Sequence, residues 1–222
     1  MKRLTKIKLI NWHGFYDETI DVSGSILFTG DNGSGKSTII DALYFLLTGG
    51  EETKFNTAAN ESTKRTVETY MRGRVGTEGR EFLREESSLI SHIALEFYDD
   101  LAKRYFVLGV VLEIQESRQK IGKTFYHMPD KRLNDALFCE ESSGVKSYIN
   151  YRRMEKIFGK DAIRSLDYAG DSRKNIRKAI YNILQLTDKY YELLPKAIAF
   201  RPIKDIGEFV FQFLLPEKAV VI

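Results

Sequence analysis

The residue types and spacing that point to chemistry are concentrated in one stretch, Gly30-Asp31-Asn32-Gly33-Ser34-Gly35-Lys36-Ser37. It fits the phosphate-loop pattern of one glycine, four residues and then Gly-Lys-Ser. Glycines let the backbone turn tightly and aim successive N–H groups at phosphate oxygens, and a helix that starts at the end of the loop adds its partial positive charge. The spacing predicts a nucleotide site in which Lys36 reaches the β- and γ-phosphates, Ser37 binds Mg²⁺ and Thr38 lies near the α-phosphate.

The segments on either side must hold this loop in shape. Before it, Ile26-Leu27-Phe28-Thr29 is a short apolar run that predicts a buried strand. After it, the residues from Ser37 to Thr48 contain good helix formers and neither Gly nor Pro, and Gly49-Gly50 provides a stop. The order strand, loop and helix favours a phosphate site over the alternative, which is an ordinary glycine-rich turn before a helix.

The amino-terminal residues predict a hairpin. Leu4 to Trp12 alternates, with Ile7 and Leu9 on one side, and Thr19 to Val22 offers a second strand. Three aromatic residues precede the phosphate loop, Trp12, His13 and Phe15. They could lie beside a base or ribose, but packing in the core is the commoner role of such residues.

Residues 51–130 predict a loop and a β-hairpin lobe. The polar residues from Glu51 to Arg65 indicate an exposed connection, and Thr66 to Met71 predicts a helical turn. Ile93 to Tyr98 alternates as a half-buried strand, Tyr105 to Ile114 returns as its antiparallel partner, and Lys123 to Met128 adds another strand. Because the run that ends in Asp99-Asp100 contains Glu96 and belongs to this hairpin, we reject it as the apolar strand that would supply a second Mg²⁺ ligand and a catalytic base.

A basic stretch follows the predicted helical turn. Arg72 and Arg74 flank Gly73 and form either an anion-binding loop or a solvated basic turn. Together with Arg80 and Arg84 they could bind DNA phosphates. Acidic residues lie among them, so a solvated surface of mixed charge is the competing explanation; these residues are Glu78, Glu81, Glu85 and Glu86.

Residues 131–222 predict a helical portion. An apolar stripe with helical spacing runs from Ile176 to Leu184, with Asp171 or Ser172 as its cap, and another runs from Ile206 to Leu214. A shorter helix is predicted from Asn150 to Phe158, closed by Gly159. The apolar end at 219–222 resembles a strand in need of partners, so we expect the sequence to be the first part of a longer protein.

Composition excludes several classes of protein. With 43% hydrophobic residues in 222, the chain can form a real core, and its net charge of +3 argues only weakly for an anionic partner. One cysteine, Cys139, excludes an internal disulfide and a cysteine-based metal cluster. The three histidines are too far apart in sequence to predict a metal site. No signal peptide or membrane span is evident, so we expect a cytoplasmic protein without a membrane partner.

The stretch Asn32-Gly33-Ser34-Gly35-Lys36-Ser37-Thr38-Ile39-Ile40-Asp41-Ala42-Leu43, with the upstream Ile10-Asn11-Trp12-His13-Gly14-Phe15, resembles the amino-terminal half of an SMC-like ATPase head. Within that group, three further pieces look most like the MukB-like condensins called MksB, or JetC in the Wadjet plasmid-defence system. They are Tyr70-Met71-Arg72-Gly73-Arg74, Tyr105-Phe106-Val107-Leu108-Gly109 and the stretch from Phe200-Arg201-Pro202 to Leu215.

The resemblance implies an α/β P-loop NTPase fold of the ABC and SMC-head type, with a mixed β-sheet, antiparallel hairpins and a helical last third. ATP and Mg²⁺ would be held between two copies of the head, and Arg72 is similar in position to a nucleotide-sensing arginine near DNA. The implied partners are double-stranded DNA, kleisin and winged-helix (KITE) subunits and a topoisomerase-like nuclease, in association with the nucleoid.

The family pattern also includes parts that this sequence lacks. We find no acceptable Walker B strand, no signature motif and no coiled coil, and the family architecture would place all three after residue 222. No catalytic residue is therefore assigned, and the segment alone should hydrolyse almost no ATP. Two alternatives stay open, an SbcC-like repair ATPase that gates a nuclease and a non-hydrolysing module that senses nucleotide or DNA.

Overall fold

A computed structural model describes residues 1–52, 55, 65–75, 81–118, 120–167, 173–187, 189–190 and 193. Its centre is a six-stranded sheet of β1 (Lys2–Trp12), β2 (Phe15–Asp21), β5 (Leu89–Asp99), β6 (Arg104–Ile114), β7 (Gly122–Pro129) and β10 (Arg164–Ser165). The strand order is β10-β7-β6-β5-β1-β2, and every neighbouring pair is antiparallel, so the sheet of the described residues is not the mixed sheet that was expected.

One face of the sheet is covered by three helices. They are α1 (Lys36–Leu47), α2 (Val67–Arg72) and α4 (Arg173–Leu184). Ile7 and Leu9 of β1 both point into this layer because alternate side chains of a strand lie on the same face. In the sequence, α2 and β5 are separated by a two-stranded ribbon of β3 (Arg74–Val75) and β4 (Glu81–Phe82).

The opposite face of the sheet is covered by residues between Leu133 and Ile163. This layer contains a short 3₁₀ turn (Asp135–Leu137), the hairpin of β8 (Cys139–Ser142) and β9 (Val145–Tyr148), and α3 (Tyr151–Phe158). Their apolar side chains pack on Ile10 of β1 and on residues of β5 to β7 that face the same way. The sheet is thus the middle of three layers.

Three further predictions about strands and helices are wrong. Residues 26–29 form no strand, and Ile26 and Leu27 are 40% and 83% exposed, because a strand needs neighbours to pair with and the described residues provide none for this segment. The strand β5 is buried on both faces rather than half-buried, because the layer between Leu133 and Ile163 covers its second face. The described residues after 130 include β8, β9 and β10, so this part of the chain is mixed rather than helical.

Other predictions are confirmed. The first apolar stripe forms α4, where Ile176, Ile180 and Leu184 are buried. The helix α3 begins after Asn150, whose side chain caps Arg153 N, and ends at Gly159. Both β1–β2 and β5–β6 form hairpins, and β7 extends the sheet. The second stripe, Ile206 to Leu214, and the caps Asp171 and Ser172 lie outside the described residues.

Candidate nucleotide-binding site

The phosphate-loop residues lie on the surface at the start of a buried helix. Residues 30–34 are exposed, whereas the helix α1 that follows them buries Ile39, Ala42 and Phe45 in the core. The helix begins at Lys36, one residue earlier than the sequence predicted, and no side chain caps its first turn. Because the first amides of an α-helix have no partner within the helix, the loop delivers backbone donors to a rigid, accessible position.

Positive φ angles at three glycines give the loop its shape. Gly30, Gly33 and Gly35 have φ values of 147°, 86° and 92°, which residues with a side chain rarely adopt. A Cβ atom at Gly30 would lie 2.9 Å from Ser34 Oγ, and one at Gly35 would lie 2.9 Å from Phe15 Cζ. The backbone conformation therefore favours glycine at all three positions, and close packing against Phe15 adds to this at Gly35.

The Lys36 ammonium bridges the beginning and the end of the loop. Its Nζ donates to Gly30 O and to Asp31 O, each at 2.7 Å, and to Ser34 Oγ at 3.2 Å. These bonds place a full positive charge among the backbone groups of residues 30–34. An anion that enters the loop would meet this charge together with the helix amides, which suits a phosphate group.

The residues present also fit a magnesium ion bound together with phosphate. Ser37 is exposed in the first turn of α1, next to Lys36. Within the described residues, no group of three or more His, Cys, Asp or Glu side chains could hold a metal ion. Mg²⁺ needs no such group at a phosphate site, since it usually takes one or two protein ligands and fills its other positions with phosphate oxygens and water. When bound, it would neutralise charge on the phosphates.

Aromatic side chains support the loop from the core side. Trp12 is fully buried, and its Nε1 donates to Thr38 O at 3.1 Å, in the first turn of α1. Phe15 packs against Gly35, and His13 N donates to Tyr70 O at 2.6 Å. Trp12 thus has the core role that the sequence favoured over a contact with the base.

Sequence reasoning missed a polar cluster beneath the loop helix. Asp41 is 1% exposed on α1, and its carboxylate accepts a hydrogen bond from the Tyr70 hydroxyl on α2. Arg65 Nη1 also donates to that hydroxyl at 3.1 Å and lies 3.9 Å from the Asp41 carboxylate. Burial is the largest cause that raises the pKa of Tyr70, and the Asp41 charge adds to it. The available signal was one acidic residue on the apolar side of a helix.

The Arg72 side chain, at the end of α2, forms hydrogen bonds with neighbouring residues. Its Nε donates to Glu68 Oε1 at 3.0 Å and its Nη1 to Glu86 O at 3.1 Å, and the side chain is 18% exposed. It lines a depression of about 220 Å³ that Arg118 and Lys120 reach from the connection between β6 and β7. Two acidic residues, Glu68 and Glu116, also line this depression. The structure thus places Arg72 in a surface of mixed charge.

Arg84 is not available for phosphates, which corrects the predicted four-arginine stretch. It is 3% exposed and donates to Asn11 Oδ1, Met71 O, His13 O and Phe15 O at 2.8–3.1 Å. Its guanidinium also lies 4.6 Å from the centre of the Tyr16 ring. Burial lowers the pKa of Arg84. Arg84 therefore connects the turn between β1 and β2 to the helix α2. Arg80 and Glu78 lie outside the described residues.

Comparison with known proteins supports the nucleotide site. A family model described as the P-loop containing region of AAA domain matches residues 4–62, which include β1, β2, the loop and α1. No curated protein matches the chain. The amino-terminal part of this chain is accordingly a P-loop nucleotide-binding region of the kind found in P-loop ATPases. None of the helices described is long and apolar enough to cross a membrane.

Proposed function

We propose that the chain is the ATP-binding half of an SMC-like ATPase head of the bacterial condensin or Wadjet type. In this proposal Mg-ATP binds at residues 30–38 and is enclosed by a second copy of the head. ATP-driven engagement of the two heads then moves DNA or extrudes it as a loop. The catalytic base and the signature motif are supplied by other parts of the assembly.

The observation that carries the proposal is the position of Lys36. Its ammonium lies among the carbonyls of an exposed glycine-rich loop, at the start of a helix whose far side is packed in the core. A loop that is open on one side and rigidly supported on the other suits a triphosphate that must also be reached by a partner head. The resemblance of residues 32–43 to SMC-like heads supplies the family assignment.

The DNA part of the proposal depends on the surface next to Arg72. Arg72, Arg118 and Lys120 approach one depression at the end of the sheet where α2 also ends. Backbone phosphates are the part of DNA that such side chains bind without reading sequence. The kleisin, winged-helix and nuclease partners rest on the family resemblance alone.

ATP turnover by the intact complex tests the ATPase assignment. Lys36→Ala should reduce turnover by about a hundredfold or more, because the ammonium neutralises charge that develops in phosphoryl transfer. Lys156→Ala is the matched control, since Lys156 is an exposed lysine on α3. Unchanged turnover in Lys36→Ala would remove the loop from its assigned role.

The salt dependence of DNA binding tests the second part. Arg72→Ala combined with Arg74→Ala should weaken DNA binding and reduce the slope of log affinity against log salt by about 2, if each arginine neutralises one phosphate. The control is Arg152→Ala with Lys156→Ala, which removes two exposed charges from α3. An unchanged slope, with DNA-stimulated ATPase also unchanged, would show that this surface does not bind DNA.

A further inference from the structure

The helix α1, which follows the phosphate loop, is joined to α2 by a buried polar contact. The Tyr70 hydroxyl on α2 donates to the Asp41 carboxylate on α1, and both residues are 1% exposed. Around them α1 is apolar, with Ala42, Phe45 and Leu46 fully buried. An acidic side chain at this position is costly, because burial removes its hydration.

A hydrogen bond restricts the relative position of two helices more than apolar packing does. Hydrophobic burial depends mainly on area and tolerates small sliding movements of a helix, whereas a hydrogen bond restricts both distance and angle. The Asp41 carboxylate lies on the same helix as Lys36 and Ser37. Its bond to Tyr70 therefore fixes α2 relative to the helix that carries the phosphate ligands.

A second path runs between the same helices and passes through β1. The rings of Trp12 and Tyr70 are stacked, with centroids 4.4 Å apart and an interplanar angle of 8°. Trp12 Nε1 donates to Thr38 O, the residue predicted to lie near the α-phosphate. A change in the first turn of α1 would thus reach Tyr70 from two sides, through Asp41 and through Trp12.

The far end of α2 carries Arg72. The helix is short, with a capping box formed by Thr66 and Thr69, and it ends at Gly73 with φ 68°. Because six residues form less than two helical turns, a shift at Tyr70 moves Arg72 with it. Arg72 in turn lines the depression beside β6 and β7.

We propose that the Asp41–Tyr70 hydrogen bond couples nucleotide binding at the phosphate loop to the position of α2 and of Arg72. Asp41 and Tyr70 are positioning residues that touch neither ATP nor DNA. This inference rests on the proposed binding of ATP at residues 30–38. It adds a route by which the bound nucleotide regulates the surface next to Arg72.

Amide hydrogen exchange on the intact protein, with and without Mg-ATP, tests the coupling. In the wild type, ATP should slow exchange both in residues 30–38 and in residues 67–75. Tyr70→Phe removes only the hydroxyl, so it should keep the slowing at 30–38 and reduce the ATP-dependent slowing at 67–75 by about tenfold. Asp41→Asn removes the charge without changing the shape and should act in the same direction.

The matched control is Tyr126→Phe. Tyr126 is also a fully buried tyrosine, and in the part of the chain that the structure describes its hydroxyl has no hydrogen-bond partner. This substitution should leave the ATP-dependent slowing in both segments unchanged.

The outcomes separate the coupling from the proposed function. If ATP slows exchange in neither segment of the wild type, ATP binding itself fails. If ATP slows exchange at 30–38 but not at 67–75, or if Tyr70→Phe leaves the difference at 67–75 unchanged, the coupling is overturned. Equal loosening of α2 with and without ATP in Tyr70→Phe would also overturn it, because it would indicate a purely structural hydrogen bond.

Discussion

Arg84→Ala should destabilise the fold strongly. The Arg84 guanidinium donates to four acceptors, which are Asn11 Oδ1 at 3.0 Å, Met71 O at 2.9 Å, His13 O at 2.8 Å and Phe15 O at 3.1 Å. Hydrogen bonds from a charged donor contribute roughly 1.5–3 kcal/mol each, but acceptors near the surface regain part of that from water. Since removal of one partner from a buried charged network typically costs about 3–5 kcal/mol, we expect a loss of about 4 kcal/mol.

Urea unfolding followed by circular dichroism measures this loss as a lower midpoint. Arg84→Lys keeps the charge but cannot reach four acceptors with one ammonium group, so it should lose about half as much stability. Arg118→Ala is the control, because Arg118 is exposed, and it should change the free energy of unfolding by less than about 0.5 kcal/mol. A loss below about 1 kcal/mol in Arg84→Ala would refute the structural role assigned to Arg84.

Three further predictions concern single sites. Gly109→Ala should cost about 1–3 kcal/mol in urea unfolding, because its Cβ would lie 2.3 Å from Tyr126 Cζ and Oη; an unchanged midpoint would contradict this packing. Gly35→Ala should weaken ATP binding at least about tenfold in a fluorescence titration, and adding Phe15→Ala should not restore it, because φ 92° disfavours a side chain even without the clash. Burial lowers the pKa of His92 from 6.5 to about 4, so its contribution to stability is present above pH 6.5 and is lost as the pH falls towards 4. The loss should be about 2 kcal/mol between pH 7 and pH 5, and His92→Gln, compared by urea unfolding, should lose less over that interval if His92 is the cause.

Local patterns predicted local structure well. The phosphate loop and the stripe of α4 depend on residues close together in sequence, whose backbone preferences and spacing set the outcome. The N-cap of α3 at Asn150 and the end of α1 before Gly49 are of the same kind. Such features need little information about the rest of the fold.

The wrong predictions concern features that depend on residues far away in sequence. Residues 26–29 are apolar enough for a strand, but apolar character indicates a preference for burial and does not supply a neighbour to pair with. For β5, the alternation of Glu96 with apolar residues predicts a strand with one solvent-exposed face. Glu96 is instead 0% exposed and accepts from Thr5 Oγ1 and from Leu133 N, each at 2.7 Å. The layer that buries it lies more than thirty residues further along the chain.

Charge patterns were the least informative part of the sequence. Arg72 and Arg84 look alike in a local window rich in arginine and glutamate. One lines a surface depression and the other fills a buried site whose acceptors come from β1, β2 and α2. The Asp41–Tyr70 contact joins residues 29 positions apart and was not evident from either segment alone. Only the folded arrangement separates these roles.

Calorimetric titration of the intact protein with Mg-ATP tests the central claim most directly. We expect the wild type and Lys156→Ala to bind Mg-ATP with the same affinity, and Lys36→Ala to bind it at least about tenfold more weakly, because this variant loses a charge-assisted contact to the phosphates. Equal affinity of Lys36→Ala and the wild type would contradict the assignment of residues 30–38 as the nucleotide site.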